Sequence, residues 1–218
     1  MATATSVDLR AQLPEVADQG ERDTCLAFTA TASHETNRQL LVSLSEEHLF
    51  WQCKQLDNLQ GIITTGTTFN SVAKVLMRRG QAEKAVWPYS CVEPVPYTPP
   101  PGVSAAPLFG ISRALLIDPP DAGVVQDFLE NNACVVGGFT DYPSLHRPDK
   151  GWIRYVPGEP FLGYHAMLIV GYHGKPNDPD GYFIVRNSWG KDWGDGGYGY
   201  MTYLYYRLNI VLAGILEV

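Results

Sequence analysis

The sequence predicts an α+β fold in which a mainly helical first half and a mainly β second half meet across a groove. Three observations predict it. Helix-compatible segments with start and stop signals cluster before residue 80. A stretch from Trp87 to Pro107 then carries seven prolines. Beyond it come short runs rich in β-branched and aromatic residues, broken by Gly and Asp. With 218 residues the chain is long enough for a substantial core. A single domain over residues 1–218 is expected, mainly helical over 10–107 and mainly β over 108–218.

The elements follow in order. An extended opening ends at Asp18, Gln19 and Gly20. Residues 24–41 hold few breakers and mix Ala, Leu, Thr and Glu, so they predict a helix. Thr24 offers a side-chain oxygen to the free amides of its first turn, which puts Cys25 at the helix N-terminus. Ser45 starts a second helix, with Glu46 and Glu47 near its positive end before Leu49, Phe50 and Trp51. Residues 67–79 make a third, closed by Gly80. The proline stretch admits neither a helix nor a paired central strand and reads as a crossover. A short helix is expected over 122–131. Strands are expected at Val135 and Val136, over 165–172, over 182–186 and over 198–206.

Composition narrows the function. Charged residues make up 18% and hydrophobic residues 45%, the balance of a compact soluble protein. The formal charge is −7 and no lysine or arginine run occurs, which argues against nucleic acid as a partner. No stretch approaches the roughly 20 apolar residues of a membrane helix, and MATATSVDLR lacks the regions of a signal peptide. No membrane partner is expected, and a cytoplasmic setting is slightly favoured over a secreted one. Four cysteines, at 25, 53, 91 and 134, are too few for a disulfide framework. Neither CxxC nor HExxH occurs, so no metal and no other cofactor is expected.

A cysteine nucleophile needs help to ionise, a base to move protons and donors for the oxyanion that forms on attack. Cys25 sits where helix amides favour a thiolate, although a cysteine at a helix start is on its own more often a small buried hydrophobe. Six residues upstream, the Gln19 side-chain amide and the Cys25 backbone amide would make a pair of oxyanion donors. Of the histidines at 34, 48, 146, 165 and 173, only His165 heads an apolar strand. The others are expected on helices or in polar loops, exposed to solvent. Asn187 follows the strand YFIVR, and its amide oxygen would accept from the imidazole and fix its tautomer. Trp189 would shield that bond from water.

These residues, in this order, resemble the papain family of cysteine peptidases over nearly the whole chain. VDLRAQLPEVADQGERDTCLAF resembles that family's mature N-terminus through its nucleophile, and LSEEHLFWQC its following helix. YHAMLIVGY resembles its histidine strand, and VRNSWGKDWGDGGYGY its highly specific Asn-Ser-Trp-Gly segment. The resemblance implies a helical left lobe, a β-barrel-like right lobe and a cleft between them that hydrolyses peptide bonds. It assigns Gln19 to the oxyanion hole, Cys25 to the nucleophile, His165 to the base, Asn187 to its orientation and Trp189 to the shield. It also implies substrate contacts at Asp23, Gly66, Thr67, Tyr164 and Trp189, and a disulfide between Cys53 and Cys91 in an oxidising setting.

Two departures stand out. Arg22 replaces the family's upstream cysteine, so the nucleophile loop must be held by other contacts. Asp23 replaces a glycine of the pocket for the residue before the scissile bond. A carboxylate there would favour Lys or Arg in the substrate or narrow the pocket, unless it turns to solvent. The expected function is a cysteine endopeptidase working through a Cys-His-Asn triad and an acyl-enzyme. The alternatives are a peptide ligase or acyltransferase on the same triad, or a scaffold that binds peptides without cutting them. The expected partner is a peptide or protein substrate. The resemblance also leaves room for a propeptide or protein inhibitor, neither visible in this chain.

Overall fold

Caps and breakers set the helices of the first half. The computed structural model describes residues 5–218. It contains α1 (Cys25–Arg38), α2 (Glu46–Leu59) and α3 (Phe69–Arg78) before the proline-rich crossover. Ser45 accepts from the His48 amide at 2.9 Å and Thr68 from the Ser71 amide at 3.1 Å, so α2 and α3 are capped by side chains. The start of α1 overturns the expectation for Thr24. Its backbone lies at φ −103° and ψ 8°, not extended, and no side-chain cap bond forms. The hydroxyl instead meets the Tyr89 hydroxyl at 2.8 Å. α1 ends at Gln39 in the left-handed conformation, a few residues short of the expected end. Every residue from Ala27 to Thr36 is buried, because α1 packs against both α2 and the sheet.

Among the described residues, eight strands form one sheet: β1 (Ser6–Asp8), β2 (Arg113–Leu116), β3 (Val135–Asp141), β4 (Trp152–Ile153), β5 (Gly163–His173), β6 (Tyr182–Arg186), β7 (Tyr198–Thr202) and β8 (Ile210–Glu217). The order is β2-β8-β3-β5-β6-β7-β4, with β1 added beside β5. That path does not close on itself, so the expected barrel-like lobe is an open sheet. β5 carries the arrangement: its first half pairs with β3, its second half with β6, and its end with β1. Gly171 lies at that end, where a Cβ would collide with the Val7 carbonyl. Only glycine lets β1 approach so closely.

Several expectations for the second half need correction. α4 (Ala122–Glu130) is present, capped by Asp121. A single turn, α5 (Pro143–His146), precedes β4. The run over 198–206 is not one strand, since β7 stops at Thr202 and α6 (Tyr203–Asn209) follows. The Thr202 hydroxyl accepts from the Tyr205 amide at 3.3 Å. Tyr203, Tyr205 and Tyr206 then turn inward with a helical spacing that the β propensity of tyrosine concealed. No disulfide joins Cys53 and Cys91. Cys53 is fully buried on α2, whereas Cys91 is exposed and sits against Gly20. Cys134 is core, as its place before β3 suggests. Among the described residues, no helix is long and apolar enough to cross a membrane.

His34 and His48 are buried, contrary to the expectation that they face solvent. His48 accepts from the Ala82 amide at 2.8 Å, and burial pulls its pKa from 6.5 to about 4. His34 is lowered by burial too. Both bind protons more readily in the unfolded chain, so stability present above pH 6.5 is lost on acidification, for His48 as the pH falls towards 4. Glu35 acts in the opposite sense. Burial raises it to about 7, so it destabilises the fold as the pH rises from 4.5 through 7. The His48 shift corresponds to about 3 kcal/mol at most. In urea titrations at pH 7 and pH 5, His48→Gln is expected to lose less stability on acidification than the parent. An equal loss would show that His48 titrates alike in the folded and unfolded states.

Candidate active site

Two distant segments pair to bring the site together. The Gln19 amide donates to the Ser188 carbonyl at 2.8 Å and the Gly190 amide to the Ala17 carbonyl at 3.1 Å, so residues 17–19 run beside residues 188–190. Gly190 turns there at φ +74°, a conformation that favours glycine. The Gln19 side chain is then fixed at both ends. Its Oε1 accepts from the Ser188 hydroxyl at 2.6 Å, and its Nε2 donates to the Arg22 carbonyl at 2.7 Å. A carbonyl can only accept, so the amide cannot be flipped. One Nε2 hydrogen remains after the bond to Arg22.

His165 is the third residue of β5, 6% exposed, and lies opposite Phe139 of β3. Its Nε2 is 2.7 Å from Asn187 Oδ1, which also accepts from the Ser188 amide at 2.8 Å. A backbone amide can only donate, so the atom it faces is oxygen and the imidazole hydrogen sits on Nε2. In the neutral ring the lone pair is therefore on Nδ1. Trp189 lies against the ring with centroids 4.4 Å apart, and His146 packs on the same indole at 4.7 Å.

Cys25 opens α1 half-buried. It lines one cleft of about 590 Å³ together with Asp23, Gly66, Thr67, Tyr164 and His165. Four of the five residues expected to contact substrate, and the expected base His165, thus share it with Cys25. Asp23 and Tyr164 are exposed. A Cβ on Gly66 would come within 3.2 Å of the Asp23 carbonyl, so the bare glycine lets that loop approach the nucleophile loop. The Thr67 hydroxyl is committed to Asp57 at 2.8 Å. Trp189 stands outside this lining, behind His165, as a cover for the imidazole.

Burial works against charge on either central group taken singly. It pushes the Cys25 thiol up, opposed by the nearby Ala166, Leu26 and Cys25 amides. It pulls His165 down to about 4, opposed by the Asn187 bond. The helix start alone therefore does not leave Cys25 ionised. A thiolate needs an imidazolium beside it, since two opposite buried charges offset each other's desolvation.

Other contacts around the candidate site were not legible in the sequence. Asp141 takes the His146 Nε2 at 2.9 and 3.0 Å and lines the cleft, although His146 reads as a solvated loop residue. Ser188 is part of a quoted motif, yet its grip on Gln19 spans 169 positions and leaves no local signal. Among the described residues, no group of three or more His, Cys, Asp or Glu side chains is placed to hold a metal ion.

Cys25 and His165 line one cleft, with Asn187 bonded to the imidazole behind it, an arrangement that suits acyl transfer, whereas Gln19 lies outside that lining. Comparison with known proteins agrees with that geometry. Residues 3–209 match the family model described as papain family cysteine protease. Peptidase 1 of Euroglyphus maynei is 29% identical over 84% of this chain and 56% of its own length. Cysteine proteinase 3 of Entamoeba histolytica is 31% identical over 90% of this chain and 62% of its own. The chain thus spans somewhat more than half the length of these relatives. In fold, it superimposes on xylellain, a cysteine protease from Xylella fastidiosa, with a TM-score of 0.80 at 23% identity, covering 100% of this chain and 87% of that one. The chain belongs to the papain family of cysteine proteases.

Proposed function

We propose that this chain is a cysteine endopeptidase that hydrolyses peptide bonds in peptide or protein substrates through a covalent acyl-enzyme. Its main support is the Asn187 Oδ1 held by two donors, which leaves His165 Nδ1 as the basic atom in a cleft shared with Cys25. His165 takes the proton from Cys25 Sγ, and the thiolate attacks the substrate carbonyl carbon. The carbonyl electron pair moves to oxygen, where the second Gln19 Nε2 hydrogen and the Cys25 amide receive it. As the tetrahedral species collapses, the C–N bond breaks and the imidazolium protonates the leaving amine. His165 then deprotonates water, the hydroxide attacks the thioester, and the C–S bond breaks with the proton returned to sulfur.

The test is intact-mass analysis after treatment with an epoxysuccinyl peptide, together with product analysis on a plain peptide. One adduct, absent from Cys25→Ala, and two fragments whose masses sum to the peptide plus one water are expected. A peptide recovered whole, or transferred only to an added amine, would overturn hydrolysis.

Asp23 supports a finer expectation. Its carboxylate is exposed at the cleft beside Cys25, so it should favour a basic residue before the scissile bond, by only a few-fold because solvent screens it. In matched peptides, Arg should be cut faster than Gln, and Gln faster than Glu, with the order flattened by Asp23→Asn. Equal rates for all three peptides would remove Asp23 from specificity.

A further inference from the structure

The oxyanion donor proposed above is held by a carbonyl whose own residue is locked in place by a buried charge pair. Arg22 O accepts from Gln19 Nε2 at 2.7 Å and from the Thr24 amide at 2.8 Å. On the same residue, the guanidinium meets Glu47 of α2 through two parallel bonds of 2.7 and 2.8 Å, and also donates to the Ser90 carbonyl at 2.6 Å. The ring of Tyr89 lies 5.0 Å from the guanidinium carbon, with Phe50 and Tyr97 each at 5.6 Å. The Glu47 side chain is fully buried and that of Arg22 is 9% exposed. Glu47 also accepts from the Ser90 amide at 3.0 Å. Tyr89 closes the ring of contacts by donating to the Gln19 carbonyl at 2.7 Å.

We infer that Arg22, clamped by Glu47, is a positioning residue for the reaction: it sets the direction of the Gln19 amide by holding the carbonyl to which that amide is tied. The geometry favours this over simple packing. A guanidinium fork on a carboxylate fixes both distance and plane, and the clamped residue is also the one that receives the catalytic amide. The clamp uses charge where the nucleophile loop has no disulfide, since all four cysteines are free. Reductant should therefore leave the geometry of the donor unchanged. Its catalytic role rests on the peptidase reading, but its structural basis does not.

Glu47→Gln, Arg22→Met and the milder Arg22→Lys test it with two readouts. One is the side-chain amide resonances of Gln19 in ¹⁵N-labelled protein, assigned through Gln19→Ala. The other is steady-state cleavage of a fluorogenic peptide, set beside the rate at which iodoacetamide alkylates Cys25, a displacement that develops no oxyanion. With Gln19 misdirected, kcat is expected to fall by about tenfold or more, KM by much less, and alkylation hardly at all. The Gln19 resonances are expected to move in all three variants that fold. Arg22→Lys keeps the charge without the fork, so it keeps the test open if Arg22→Met fails to fold. Unmoved Gln19 resonances in Glu47→Gln and Arg22→Lys would overturn the clamp whatever the activity. Moved resonances with unchanged kcat would overturn its catalytic role. If the parent protein itself cut nothing while the resonances moved, the peptidase reading would fail and the clamp would stand.

Discussion

Cys25→Ala is expected to yield a folded protein with no measurable peptide hydrolysis, a loss on the order of 10⁴-fold or more. In the proposed mechanism the sulfur forms and breaks the only covalent bonds between protein and substrate, and no second cysteine is in the cleft lining. Cys53 and Cys134 are buried, Cys91 lies beside Gly20, and burial raises both Cys53 and Cys134, the latter to about 12. None of them can substitute. The measurement is burst-phase release from a peptidyl ester, with the folded state checked by circular dichroism. A residual burst in Cys25→Ala would assign the acyl-enzyme to another residue.

Gln19→Ala is expected to lower kcat by about 100-fold with little change in KM, because its free N–H meets the substrate oxygen only once that oxygen carries charge. The Ser188 hydroxyl and Arg22 carbonyl would lose their partner, at a cost of about 1 kcal/mol of stability, too little to unfold the protein. Turnover of a peptide substrate, with the urea midpoint followed in parallel, separates the two effects. A fall in KM-related binding with kcat preserved would place Gln19 in ground-state contact with substrate and not in the oxyanion hole.

Much of the fold was legible because the signals were local. Ser45 and Gly80 mark helix ends by their own chemistry, and the apolar run after His165 forms the central strand β5. The residues of the candidate site were legible as types in order, since Cys25, His165 and Asn187 each stand at the end of an element. What could not be read depends on partners far apart in the chain. Thr24 fails to cap because Tyr89 takes its hydroxyl, and His34 and His48 are buried because the segment around Gln81 and Ala82 folds over them. The tyrosines of α6 followed tertiary packing over their own strand preference, with Thr202 supplying a cap that propensity does not weigh. The Cys53–Cys91 bridge, expected from resemblance alone, is absent because α2 turns Cys53 inward.

The pairing of residues 17–19 with residues 188–190 has a consequence for synthesis. A ribosome makes Cys25 and Gln19 long before it makes Ser188, and the Asn187 amide is not anchored until Gly197 supplies its carbonyl. A nascent or truncated chain that stops short of this region carries the nucleophile without its oriented base or its fixed donor amide. On the proposed mechanism, chemical competence awaits residues 187–197, so products that stop before them are expected to be inert towards the peptides around them.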